Sequence, residues 1–117
     1  MARQEAEREV MPADFLVGER VIDPSGEDLG KLEEMIISAA TGRVLYAIIS
    51  FGGIFGLGEK LFALPWSMLR HQRENRCFVL PLSKEQLKAA PGFERHSWPA
   101  MDRRWERRIY RFYDQTP

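Results

Sequence analysis

Three observations predict a mainly β chain: a small barrel of about five to six antiparallel strands with one short helix and an amphipathic C-terminal helix. Between Leu29 and Pro65 the chain reads as two strands joined by a tight turn, then a glycine-rich loop with an apolar tip, then a further strand. The run from Arg43 to Phe51 is apolar on both faces. Near the C-terminus, Trp98, Met101, Trp105, Ile109 and Phe112 recur every three or four residues, the period of a helix face.

The elements follow in order. Residues 1–12 are polar and charged, and Pro12 ends any nascent helix, so a flexible charged arm is expected there. Phe15 to Asp23 reads as a first strand, and Pro24, Ser25 and Gly26 as a turn. Lys31 to Ser38 is the second strand. Ala39 to Gly42 is the hairpin connection, with Gly42 as its left-handed residue. In the third strand Val44, Tyr46 and Ile48 share one face, and Leu45, Ala47, Ile49 and Phe51 the other. One face has to fill the barrel, and the other has to be covered by a helix or a second subunit. Lys60 to Leu64 is the fourth strand, broken by Pro65, and Trp66 to Leu69 is a short helical turn. Glu74 and Asn75 make another turn, and Arg76 to Leu82 a further strand. Ser83 caps a helix over Lys84 to Ala90 that Pro91 and Gly92 stop. Ser97 is the expected cap of the last helix, with Pro99 in its first turn and Asp102 near its positive end. The expected organisation is an arm (1–12), a barrel domain (13–93) and a basic amphipathic helix (94–117).

The chain of 117 residues is long enough for one domain with a modest core. Its single cysteine, Cys77, allows no internal disulfide and fits a reducing compartment. The N-terminus has no apolar signal core, and no apolar run approaches the ~18–20 residues of a membrane helix, so a soluble cytoplasmic protein is expected. Net charge is zero but segregated: residues 1–59 carry 5 basic and 11 acidic side chains, and residues 60–117 carry 12 and 6. Either folding mixes these over the surface, or the basic half serves an acidic partner or head-to-tail pairing.

Several segments in order, VIDPSGEDLGKLEEMIIS, TGRVLYAIISFGG, FGGIFGLGEKLFALPWSML and LSKEQLKAAPGF, are similar to the PRC-barrel family. The resemblance runs from about Phe15 to Phe93. It implies a small β-barrel used to bind proteins, often as a dimer, rather than an enzyme fold. The family includes the cytoplasmic domain of the photosynthetic reaction-centre H subunit and the C-terminal domain of a ribosome maturation factor.

No catalytic set emerges from the spacing. The loop Gly52-Gly53-Ile54-Phe55-Gly56-Leu57-Gly58 leads into a strand and lacks the Gly-Lys-Ser/Thr and helix of a phosphate loop. Its glycines, like Gly26, Gly30 and Gly42, read as structural turn residues. Ile54, Phe55 and Leu57 either plug a barrel end or form an apolar tip for a partner. Cys77 reads as a buried thiol, and His71 and His96 as solvated loop residues without a second ligand at metal spacing. No metal and no cofactor are expected. Glu33 and Glu34 are adjacent, and in a regular strand they face opposite sides.

The candidate protein-interaction residues are therefore Ile54, Phe55, Leu57, Trp98, Trp105 and Ile109. The Trp105 stripe packs either on its own barrel or on a sister subunit; in the homodimer this reading expects, it and the outer face of the third strand meet that sister subunit. Arg103, Arg104, Arg107, Arg108 and Arg111 lie mostly off that stripe and are candidate anion or RNA contacts, unless Glu106 pairs with one of them. The favoured function is a non-catalytic module that self-associates and docks a protein partner. An RNA- or ribosome-associated role through the arginines is the alternative.

Overall fold

The computed structural model describes residues 10–52 and 59–115. The interaction residues Ile54, Phe55 and Leu57, the turn glycines Gly53, Gly56 and Gly58, and most of the expected N-terminal arm lie outside the described residues.

The strands are β1 (Arg20–Ile22), β2 (Asp28–Ile37), β3 (Val44–Gly52), β4 (Glu59–Pro65), β5 (Arg70–Gln72), β6 (Cys77–Val79) and β7 (Gly92–Phe93). The helices are α1 (Lys84–Ala89) and α2 (Arg103–Phe112), with 3-10 turns at Ala13–Phe15 and Trp66–Met68. The fold is mainly β, as expected. The strands number seven among the described residues, in the order β5-β6-β1-β2-β3-β4-β7. All neighbours are antiparallel except β1 and β6, which are parallel.

The hydrogen-bond ladder is open at β5 and β7, yet the sheet has to curl. β4 ends at Pro65 and β5, five strand positions away, begins at Arg70. That link spans at most about 18 Å and its 3-10 turn shortens it, whereas five flat strand spacings take about 24 Å. The ring of Trp66 in this link lies 5.8 Å from Phe78 of β6, edge to face. One buried cluster accordingly holds Val21 of β1, Leu29 and Leu32 of β2, Ala47 and Ile49 of β3, Phe62 and Leu64 of β4, and Phe78 of β6. Leu87 of α1 joins the same core.

Local chemistry sets the path. The expected first strand is shorter because a 3-10 turn occupies Ala13–Phe15, leaving Phe15 66% exposed. Gly18 then takes a positive φ, and its N–H donates to the Leu32 carbonyl at 2.7 Å. At the next turn the Asp23 carboxylate accepts from the Ser25 hydroxyl (2.7 Å) and from the N–H groups of Ser25 and Glu27 (both 2.9 Å). The Ser25 hydroxyl is the main reason that its pKa is lowered. Gly30 has φ +114°, and a Cβ there would collide with the Ser50 carbonyl oxygen, so only glycine fits. Gly26, Gly42 and Gly52 also have positive φ; Gly26 and Gly42 lie between strands, whereas Gly52 ends β3 and Gly30 lies within β2 rather than in a turn.

The β3–β4 hairpin keeps strict register from Tyr46↔Pro65 to Gly52↔Glu59, so Ala47, Leu64, Ile49 and Phe62 share the inner face. Tyr46, Ile48, Ala63 and Leu61 share the outer one. Both faces are buried. Ser83 caps α1 with a full capping box, its hydroxyl accepting from Gln86 N–H at 3.1 Å while the Gln86 side chain accepts from Ser83 N–H at 2.8 Å.

His71 departs from its reading as a solvated loop residue. It lies in β5, its ring 4.8 Å from that of Phe78, with Nε2 2.7 Å from Glu19 Oε1. His96 is exposed. Cys77 is buried at 3% exposure, in keeping with its sequence context.

Candidate interaction surface on the C-terminal helix

The outer face of β3 and β4 is covered by the chain's own C-terminal segment. Ile48, Leu61 and Ala63 pack against Met101, Trp105 and Phe93. Tyr46 meets Trp105 edge to face at 4.9 Å and Tyr110 at 6.2 Å. Its hydroxyl donates to Glu106 Oε2 at 2.9 Å. Burial, reinforced by the Glu106 carboxylate, raises the Tyr46 pKa far above the usual phenol range, so the hydroxyl keeps its proton and remains a donor. Burial raises Tyr110 as well.

The helix starts later than its sequence suggests. Ser97 closes a turn, its N–H donating to the Glu94 carbonyl at 2.9 Å, so it is not the cap. Asp102 caps α2 instead, its carboxylate accepting from Trp105 N–H at 2.9 Å. Trp98 therefore lies before the helix, 42% exposed and 5.1 Å from Phe93 ring to ring. The buried stripe is Trp105, Ile109 and Tyr113, each one helical step of four apart. Ile109 is completely buried within its own chain and offers no surface to a partner, which corrects its assignment to an interface. Trp105 is half-buried under the same contacts. The sister-subunit contact expected on the outer face of β3 is thus filled intramolecularly.

The five arginines occupy the opposite side. At 3.6 residues per turn Arg103, Arg107, Arg111, Arg104 and Arg108 fill one continuous arc of about 140°, with no other residue type inside it. All five are exposed. Of the nearby acids, Asp102 is committed to the helix cap and Glu106 to Tyr46, and Asp114 lies exposed past the helix end. The expected alternative, a Glu106–arginine pair, does not form. Among the described residues the ion pairs are Lys84–Glu27 (3.1 Å) and Arg95–Glu33 (3.3 Å), His71 meets Glu19 at 2.7 Å, and none of these contacts includes an α2 arginine. Like charges three and four residues apart cost a helix about 0.2–0.5 kcal/mol per pair.

Beside the arc, Pro91, Arg104, Arg107, Arg108, Arg111 and Phe112 line a groove of about 590 Å³. Phe112 is 41% exposed, and its ring packs against that of Tyr113 at 5.0 Å. Sequence spacing put Phe112 on the buried stripe. It lies three residues from Ile109 rather than four, which turns it to the rim. Tyr113, which the spacing did not single out, takes the core position instead.

In β2, Glu33 is held by Arg95 at 3.3 Å. Burial works against its ionisation, but the hydrogen bonds from Arg95 and Ser50 prevail and lower its pKa. Among the described residues no three His, Cys, Asp or Glu side chains gather as a metal site. No helix there is long and apolar enough to cross a membrane.

A curled seven-stranded sheet wrapped around one apolar core, with a short helix on that core and a second helix outside, defines a small β-barrel type of domain. The PRC-barrel domain model matches residues 9–87, and the chain belongs to that family. A comparison with curated proteins finds no match. The match ends within α1, so β7 and α2 with its arginine arc lie beyond it.

Proposed function

We propose that this protein is a non-catalytic interaction module whose barrel holds α2 as a rigid platform and whose arginine face docks a protein partner. The observation that carries the reading is the division of labour on α2. Its apolar stripe is packed on the chain's own barrel, Trp105 on Ile48, Leu61 and Ala63, and Ile109 and Tyr113 in the main core, while five adjacent arginines face outward with no ion-pair partner among the described residues. Charge held on a fixed helix steers association and sets orientation better than charge on a loose tail. A cytoplasmic setting is part of the proposal, supported by the single, buried cysteine.

Self-association has less support, because α2 already covers the outer face of β3. A dimer would have to use other exposed apolar residues, such as Phe15, Val17 and Ile37. RNA binding through the same arginines is the second reading, favoured by the absence of a carboxylate inside the arc.

The test is capture from host lysate, with and without nuclease, using the wild type and an Arg104→Glu/Arg108→Glu variant. A stoichiometric protein partner that survives nuclease and disappears with the variant supports docking. Nuclease-sensitive recovery of ribosomal proteins supports the second reading. Capture that the variant leaves unchanged refutes both.

A further inference from the structure

Resting on that docking reading, we infer the chemistry of the partner: an acidic helical segment carrying one apolar anchor, seated along Arg104, Arg108 and Arg111 with the anchor between Phe112 and Pro91. Three features of the surface point there. The first is charge complementarity, since the arc holds only guanidinium groups and no anion among the described residues pairs with them. Guanidinium forks match carboxylates bidentately, and carboxylates on one face of a helix recur every three or four residues, the spacing of these arginines.

The second feature is the groove. Phe112 and Pro91 place apolar surface directly beside the charges, in a space of about 590 Å³. That combination suits a side chain such as Leu flanked by Glu. A phosphate backbone needs no such wall, and a base-stacking surface would interleave aromatics along the charged track.

The third is extent. From Arg103 to Arg111 the track is about 12 Å long. Exposed Asp102 and Asp114 bracket it at the two ends. The whole chain carries no net charge. Nucleic-acid surfaces are larger and bring a strongly basic domain with them. A lipid surface fits less well still, because the apolar face of α2 is already buried and only Phe112 is left to insert.

The experiment is fluorescence anisotropy of the full-length chain with three probes. One is a labelled amphipathic peptide with glutamates at three- and four-residue spacing around one leucine. The second is the same peptide with glutamine in place of glutamate. The third is a single-stranded oligouridine. The expected result is saturable binding of the glutamate peptide that weakens as salt rises, with no binding of the glutamine peptide. Arg104→Glu/Arg108→Glu should weaken it by about tenfold or more, and Phe112→Ala by several fold, with unchanged circular dichroism. Tighter binding of the oligouridine overturns the inference, as does glutamate-peptide binding indifferent to the arginine variant, or none at low salt. If the glutamate peptide fails while lysate capture still depends on Arg104 and Arg108, docking stands and the acidic helix is the wrong partner.

Discussion

Tyr46 shows how single residues tie the barrel to its helix. Its ring supports Trp105 and its hydroxyl meets Glu106, so one side chain fixes both the position and the rotation of α2. Tyr46→Phe keeps the ring and removes the hydrogen bond. It should cost about 1–2 kcal/mol in urea unfolding, because a half-buried carboxylate loses its donor. Asp23 and Glu33 make a pH prediction. Both have lowered pKa values in the fold, so their stabilisation is complete above their unfolded values, near 4, and is lost as pH falls through the lower folded values. Stability should therefore drop below about pH 4, and Asp23→Asn should flatten part of that acid limb. The Asp23 turn was legible as Pro-Ser-Gly chemistry. The Tyr46–Glu106 bond was not, because sixty positions separate the partners and neither carries a local signal.

At the scale of elements, legibility followed length and local chemistry. β2, β3, β4 and α1 stood out because period-2 or capping patterns run through them, and Gly42 marked its hairpin by the backbone it permits. β5 and β7 have only three and two residues, too few for a period, and exist because neighbouring strands accept them. The parallel β1–β6 pair is equally invisible, since no local pattern specifies a distant partner. The start of α2 was misplaced because Ser97 and Asp102 both suit a cap, and only tertiary packing decides between them. The buried side and the rim of this helix should respond differently to truncation. Ile109→Ala removes a fully buried side chain and should cost about 2–5 kcal/mol in denaturant unfolding. Phe112→Ala lies at the rim and should cost less than about 1 kcal/mol by the same measurement. Asp102→Ala should cost about 1 kcal/mol by removing the cap.

Over the whole molecule, β3 is buried on both faces within one chain. The inner face joins the barrel core and the outer face receives α2. The charge segregation read in the sequence becomes concrete as an arginine arc on an element beyond the matched family region. What the sequence left open was whether the Trp105 stripe served a sister chain or its own barrel, since either answer buries the same side chains. Concentration dependence separates these answers: unfolding of a self-contained barrel does not shift with protein concentration, whereas an interface-stabilised one does.

The most direct test is urea unfolding of wild type, Trp105→Ala and Arg104→Glu/Arg108→Glu, each at two protein concentrations about a hundredfold apart. The structure predicts that Trp105→Ala lowers the midpoint equally at both concentrations. The arginine variant should keep the wild-type midpoint or exceed it slightly through relief of like-charge repulsion. A wild-type midpoint that rises with concentration, together with a Trp105→Ala variant that abolishes this rise, would contradict the account and return α2 to an intersubunit contact.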